Sequence, residues 1–271
     1  MRLLRLVFAF AFMMLGLHSE PLAAAEYRGV PIIAHRGAGH EFDENTVEGC
    51  RQSYERGIRG FEVDLRLTRD DQLVVMHDGD VSRTTGSSGR IEELTLADIK
   101  RLKTKGHGVS IPTAADLFAY FKDKPDVTLL LEMKTTEEQL YPAERLETYC
   151  RLLHDSARAM LPRGTYCFTS FDRRSLAVMK RMAPDSFTGL ITNATPTPEL
   201  IDEARKLGCG RLSVPIDGTP RKLAREIRKS GLELSLWPIK TMEDADLAVA
   251  FGANIICTDI PSQLLATKPV P

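Results

Sequence analysis

Short apolar runs alternate with longer helix-like stretches from residue 31 almost to the end of the chain. Eight of these runs have strand character: Pro31–His35, Phe61–Leu67, Val127–Lys134, Tyr166–Ser170, Phe187–Ile191, Arg211–Pro215, Glu233–Ile239 and Asn254–Asp259. Alternation of this kind predicts a parallel sheet covered by helices. Eight strand–helix units in roughly 245 residues fit one closed barrel. We therefore predict an α/β fold of the (β/α)8 TIM-barrel class.

An open, doubly wound sheet is the alternative architecture, but it usually has fewer units, and no Gly-rich dinucleotide fingerprint opens the first helix. Helices are expected over Asn45–Arg56, Pro112–Phe121, Pro142–Ala159, Arg173–Met182, Pro198–Leu207, Pro220–Ser230 and Met242–Phe251, and a last one from near Pro261. An extra strand, Leu73–Met76, follows the second barrel strand. The polar segment Gly79–Lys105, interrupted by a short helix at Leu96–Leu102, is predicted to be a short inserted loop.

The amino terminus has the pattern of a secretory signal peptide. Arg2 and Arg5 precede the apolar run Leu6–Leu17, and Ala23–Ala25 offers small residues for cleavage. As a helix, that run covers about 18 Å, whereas a membrane anchor must cross roughly 30 Å of hydrocarbon. We predict that residues 1–25 are removed, that residues 26–271 form one barrel domain, and that the mature protein is periplasmic or secreted without a stable membrane anchor.

Composition limits the partners and the redox chemistry. The 271-residue chain has a formal net charge of -1 and no long run of one charge sign, which argues against nucleic acid as a partner. The cysteines never have CxxC spacing, so a zinc site of that kind is not predicted. Because their number is odd, at least one thiol must be free, and small core residues are the expected role of most of them: Cys50, Cys150, Cys167, Cys209 and Cys257.

Three carboxylates lie in or at the ends of predicted strands. Glu62 and Asp64 alternate along the second strand and therefore point to the same side, and Glu132 lies near the end of the third. Charges in apolar strands are costly unless they are paired or bound to a metal. The group suits a hard divalent cation, Ca²⁺ or Mg²⁺. A buried ion-pair cluster with Arg36 and Lys134 is the alternative.

Two histidines follow strands beside this acidic group. His35 ends the first barrel strand, and His77 follows the extra strand. Alone, His35 could be a core histidine and His77 a loop residue. Beside an acidic cluster at a barrel mouth, both are candidates for proton transfer. Ser170, Trp237 and Lys240 also lie at strand ends.

A set of short motifs occurs in one order along the chain: HRG (residues 35–37), ENT (44–46), E-x-D (62–64), HD (77–78), RTT (83–85), IPT (111–113), LEMK (131–134) and GANIICTDIP (252–261). The ordered set resembles the glycerophosphodiester phosphodiesterase family across roughly residues 31–265. Each motif is weak alone, and the specificity comes from their order.

The resemblance implies a barrel enzyme whose divalent cation is held by Glu62, Asp64 and Glu132. It implies that His35 and His77 are the catalytic acid and base and that Arg36 and Lys134 neutralise phosphate charge. We further predict that Trp237 binds the substrate. The expected substrate is a small glycerophosphodiester, cleaved to glycerol 3-phosphate and an alcohol, with the glycerol 2-hydroxyl attacking first to give a cyclic phosphate. The polar stretch Gly79–Ser110 takes the place of the insertion that caps the barrel mouth in that family.

The chain departs from the family pattern at two places. Lys240 stands where members often have Asn, and it could alter head-group preference or point to solvent. The helix after IPT begins Ala114–Ala115 instead of with an acidic residue. Two rival functions remain: a related barrel phospholipase acting on lysophospholipid or sphingomyelin, and a non-catalytic phosphodiester-binding protein.

Overall fold

The computed structural model describes residues 25–267, and its strands form a closed barrel with two short additions. In chain order, the strands are β1 (Glu26–Tyr27), β2 (Val30–Ala34), β3 (Gly60–Leu67), β4 (Leu73–Val75), β5 (Thr128–Met133), β6 (Tyr166–Ser170), β7 (Thr188–Ile191), β8 (Arg211–Pro215), β9 (Glu233–Ile239) and β10 (Ile255–Thr258). β1 and β4 pair antiparallel with β2 and β3. The remaining strands are parallel, and β2 pairs with both β3 and β10, which closes the barrel. The predicted (β/α)8 fold is confirmed.

The helices follow the strands in the predicted alternation. They are α1 (Val47–Glu55), α2 (Ser82–Thr85), α3 (Leu96–Ile99), α4 (Ala114–Phe121), α5 (Ala143–Met160), α6 (Arg173–Met182), α7 (Pro198–Lys206), α8 (Arg221–Lys229), α9 (Met242–Phe251) and α10 (Pro261–Ala266). Threonine caps several of them, since the hydroxyls of Thr46, Thr113, Thr197 and Thr241 accept backbone N–H groups of the first turn. Such caps satisfy donors that otherwise have no partner in the helix.

The apolar residues of the barrel form two clusters. The larger cluster lies between the sheet and the helices, where α5 contributes Leu146, Tyr149 and Leu153. A smaller cluster contains Ile33, Leu130, Cys167, Ile255 and Cys257. Leu130 and Cys257 of the smaller cluster also line a cavity at the barrel mouth. The smaller cluster therefore forms part of the lining of the candidate site.

The inserted segment between β4 and α4 is more structured than predicted. It contains α2, which the sequence did not indicate, and α3, which ends at Ile99 instead of continuing to Leu102. A separate apolar cluster anchors it: Val74, Met76, Val81, Ile91, Ile99 and Ile111. The insertion is thus a small folded unit fixed against β4, beside the barrel mouth.

The structure bears on the prediction about the cysteines but does not test the predicted signal peptide. In the described part of the chain, Cys50, Cys150, Cys167, Cys209 and Cys257 are all buried, free thiols, as expected of small core residues. No helix among residues 25–267 is long and apolar enough to cross a membrane. The predicted signal peptide falls on residues 1–25, almost all outside the described residues, and it stays a prediction.

Candidate active site

A cavity of about 370 Å³ opens at the carboxyl ends of the barrel strands. Its lining combines charged, polar and aromatic side chains: His35, Arg36, Glu62, His77, Leu130, Glu132, Met133, Lys134, Thr136, Thr169, Phe171, Ile191, Asn193, Ser213, Ser235, Trp237 and Cys257. Functional residues of this fold lie at this face because the loops after the strands meet there. The cavity contains seven of the eight predicted site residues, and the eighth, Asp64, lies buried beside Glu62.

The three carboxylates converge as their spacing predicts. Glu62 and Asp64 share one side of β3, and Asp64 lies in register with Glu132 on β5. One oxygen from each residue lies within 4.8 Å of the others, and all three residues are buried. Burial and the charges of Asp64 and Glu132 raise the pKa of Glu62 well above its ordinary value.

The side chains around the acidic cluster satisfy only part of it. Lys134 Nζ lies 2.7 Å from Glu132 Oε1 and 3.5 Å from Asp64 Oδ1. Asn45 Nδ2 donates to Asp64 Oδ2 at 2.7 Å. Although burial opposes it, the charge of Lys134 and the bond from Asn45 help hold the pKa of Asp64 below its ordinary value. Glu62 Oε1 and Asp64 Oδ1 have no hydrogen-bond partner among residues 25–267. One ammonium group faces three carboxylates, so the cluster fits an additional cation.

A tight turn after β2 places Arg36. The strand ends at Ala34 instead of His35, because residues 35–37 form a 3-10 turn in which Arg36 has φ 55° and ψ 30°. This left-handed conformation aims the Arg36 backbone N–H at Glu62 Oε2, 2.7 Å away. Gly37 follows with φ 77°, and a Cβ there would lie 2.4 Å from Cys50 Sγ. The Arg36 guanidinium donates its hydrogen bond to Glu44 Oε1, at 3.0 Å, and interacts with Glu62 and Asp64 through its charge.

Each candidate histidine is held by a carboxylate. His35 Nδ1 lies 2.6 Å from Asp259 Oδ1, and His77 Nδ1 lies 2.7 Å from Asp78 Oδ1. In both rings Nδ1 is the atom that binds the carboxylate, and Nε2 has no hydrogen-bond partner among residues 25–267. Burial lowers the pKa of His77, and the nearby charges of Lys134 and Arg36 act in the same direction. Imidazoles that are held by a carboxylate in this way are suited to proton transfer.

One part of the cavity lining is aromatic. The rings of Phe171 and Trp237 meet edge to face, with centroids 5.6 Å apart. Trp237 Nε1 is buried without a hydrogen-bond partner in the described residues, and the Lys134 ammonium lies 5.7 Å from the Phe171 ring centre. The wall provides apolar surface beside the charged end of the site.

Two strand-end residues noted in the sequence do not join the site. Lys240 is exposed and does not line the cavity. Of the two possibilities given for it above, the structure has the one in which the side chain points to solvent. Ser170 is buried, and its hydroxyl donates to the Met133 carbonyl and accepts the Asp172 N–H. It stabilises the turn after β6.

Several residues of the site had no role assigned from sequence. Asn45, Asp78 and Asp259 orient the predicted residues, and Glu44 binds Arg36. All four lie within the motifs that carry the family resemblance, and this was the only sign in the sequence that they belong to the site. Phe171 and Asn193 line the cavity, but they lie just beyond strand ends in no motif.

Comparison with known proteins identifies the family of the chain. The sequence profile of the Glycerophosphoryl diester phosphodiesterase family matches residues 35–263. The chain is 31% identical over 242 residues to the glycerophosphodiester phosphodiesterase of Caldanaerobacter subterraneus, covering 86% of this chain and 96% of that one.

Solved structures share the fold. One is the crystal structure of a Silicibacter pomeroyi protein that is provisionally named a glycerophosphoryl diester phosphodiesterase. It superposes with a TM-score of 0.80 at 23% identity, covering 87% of this chain and 93% of that one. An Oleispira antarctica phosphodiesterase in complex with the product sn-glycerol-3-phosphate gives a TM-score of 0.78 at 24% identity, covering 89% and 97%. With the family profile spanning most of the barrel, the chain belongs to the glycerophosphoryl diester phosphodiesterase family of enzymes.

Proposed function

We propose that this protein uses a divalent cation to hydrolyse small glycerophosphodiesters to glycerol 3-phosphate and an alcohol. The observation that carries the proposal is that two carboxylate-held histidines and a three-carboxylate cluster meet at one cavity. Family membership supports the reaction class. The sn-glycerol-3-phosphate bound to the Oleispira antarctica relative supports the product.

Glu62, Asp64 and Glu132 would hold the cation, Ca²⁺ or Mg²⁺. Their buried oxygens without partners and the excess of negative charge favour a metal site over a cluster satisfied by Lys134 alone. When bound, such a cation supplies positive charge that polarises a phosphoryl oxygen and acidifies a bound hydroxyl.

Arg36 and Lys134 bind the phosphate group. Both line the cavity, and the Lys134 ammonium is already fixed beside Glu132. Positive groups that are in place before the reaction stabilise the charge that accumulates on the phosphoryl oxygens. Trp237 and Phe171 form the apolar wall against which the carbon atoms of the substrate pack.

The histidines move the protons. We assign His35 as the base that removes a proton from the glycerol 2-hydroxyl, whose oxygen forms the new bond to phosphorus. His77 is assigned as the acid that gives a proton to the alcohol oxygen as its bond to phosphorus breaks. Water then opens the cyclic phosphate with the two roles exchanged. The pKa of His77 is lowered in the free protein, so its role as acid requires the negative charge of a bound phosphodiester, which favours the protonated ring.

The size of the cavity argues for a small substrate. About 370 Å³ is near the lower end of ligand sites, and a small glycerophosphodiester fits such a volume. A non-catalytic binding protein would not need both oriented histidines. We also propose that the mature protein acts in the periplasm or outside the cell, where it needs neither nucleic acid nor a membrane anchor.

The test is a metal-supplemented assay of the purified mature protein on glycerophosphocholine, glycerophosphoethanolamine and a lysophospholipid. We expect release of glycerol 3-phosphate from the first two with Ca²⁺ or Mg²⁺. Faster cleavage of the lysophospholipid would favour the phospholipase alternative. Binding of all three without turnover would favour the binding-protein alternative.

A further inference from the structure

We propose that Arg83, contributed by the inserted segment, is a positioning residue that holds His77 and Arg36 in place through two intervening carboxylates. The proposal rests on the proposed roles of His77 and Arg36. Arg83 lies on α2, outside the barrel, and it is not among the residues that line the cavity. Any effect on the reaction must therefore pass through other side chains.

The guanidinium of Arg83 binds two carboxylates at once. Its Nη1 donates to Glu44 Oε2 at 2.8 Å and its Nη2 to Glu44 Oε1 at 2.6 Å. Its Nε donates to Asp78 Oδ2. All three nitrogen atoms are engaged, and the planar fork fixes the angle between the two acids. Glu44 comes from the loop before α1, whereas Asp78 follows β4, so Arg83 joins separate parts of the mouth.

Each of these carboxylates also binds a residue of the site. Glu44 Oε1 also accepts from Arg36 Nη1 at 3.0 Å, and Asp78 Oδ1 contacts His77 Nδ1 at 2.7 Å. A continuous chain of contacts thus runs from His77 through Arg83 to Arg36. If Arg83 is removed, both acids become free to rotate, and the imidazole and the phosphate-binding guanidinium lose their orientation together.

The same contacts could merely stabilise the surface. The Arg83 side chain is 47% exposed, and exposed ion pairs usually contribute little to stability. Arg51 offers a matched control because it also bridges two carboxylates, Glu48 and Glu55, and is 42% exposed. Arg51 lies on α1 and does not line the cavity. Comparing the two arginines separates positioning from surface charge pairing.

The first measurement is steady-state kinetics of Arg83→Gln and Arg51→Gln on the best substrate of the panel above. We expect kcat/KM of Arg83→Gln to fall about 10- to 100-fold, with kcat falling and KM rising, since small misplacements of reacting groups have effects of that size. Arg51→Gln should match the parent, and both variants should unfold at similar temperatures. Parent-like kinetics for Arg83→Gln would overturn the proposal.

The second measurement asks whether Arg83 acts through its two partners. In the double variant Glu44→Gln/Asp78→Asn, adding Arg83→Gln should cause no further loss of kcat/KM, because residues that act as one unit are not additive. An equal fractional loss in both backgrounds would overturn the proposal. His77→Ala in the same experiment distinguishes the two hypotheses. Full activity of that variant refutes the proposed function, whereas an impaired His77→Ala beside a parent-like Arg83→Gln refutes only the positioning role.

Discussion

His35 Nδ1 lies 2.6 Å from Asp259 Oδ1, although the two residues are 224 positions apart. His35 follows the first barrel strand and Asp259 follows the last, and β2 and β10 are neighbours only because the barrel closes. The contact fixes which ring nitrogen of His35 faces the cavity. The orientation of a proposed catalytic base therefore depends on barrel closure.

Asp259→Asn should lower kcat by up to about 10⁴-fold, because an amide no longer holds His35 in the required tautomer. The change keeps the size of the side chain, so the barrel should remain folded. Asp246→Asn is a suitable control, since Asp246 is a surface carboxylate on α9 that binds Tyr27 and Arg28 and does not line the cavity. Steady-state kinetics with thermal unfolding of both variants test this prediction, and equal kcat values for the two would contradict it.

Substitutions in the acidic cluster should affect activity and the stability of the metal-free protein differently. Glu62→Gln, Asp64→Asn and Glu132→Gln should each remove most activity and weaken cation binding. In chelator, Glu62→Gln should unfold no earlier than the parent, because it removes a buried carboxyl group whose ionisation is opposed by burial and by Asp64 and Glu132. Calorimetric titration with Ca²⁺ or Mg²⁺ and thermal unfolding in chelator are the measurements. Full parent activity in excess chelator would exclude the metal.

Substitutions of Trp237 and Lys240, which lie near the end of the same strand, should affect substrate binding differently. Trp237→Ala should raise KM about tenfold, because it removes the ring packed against Phe171 in the cavity. Lys240→Asn should leave KM and substrate preference unchanged, since that side chain is exposed and outside the cavity. Kinetics on glycerophosphocholine and glycerophosphoethanolamine test both. A changed preference in Lys240→Asn would place its ammonium within reach of the head group.

The export prediction rests on the sequence of residues 1–25. Amino-terminal sequencing of the protein recovered from the periplasm or the medium should begin at or near Glu26. Protein that is found only in the cytosol and retains Met1 would contradict it.

The strands were predictable because a barrel interior demands nearly continuous apolar runs. Each predicted strand is present, with ends displaced by about one residue where local geometry decides. The first strand illustrates this, since the left-handed turn at Arg36 moves His35 out of β2. The two-residue strand β1 and the four-residue helix α2 are too short to give a periodic pattern.

The residues of the site were predictable where chemistry and spacing coincide, as for Glu62 and Asp64 on one side of β3. Their partners were not. Contacts such as Asp259 with His35, or Arg83 with Glu44, join segments distant in sequence and depend on how the chain closes in space. A sequence motif marks that such a residue is present without indicating which side chain it binds.

Turnover of His35→Ala, His77→Ala and the double variant on a glycerophosphodiester, with cation present, tests the central claim most directly. Each single change should lower kcat by about 10²- to 10⁴-fold, and the double variant should be scarcely worse, since the two residues work as a unit. A nitrophenyl phosphodiester, whose leaving group needs no proton, should restore the variant that lacks the acid and not the one that lacks the base. Parent-like turnover in either single variant would contradict the account.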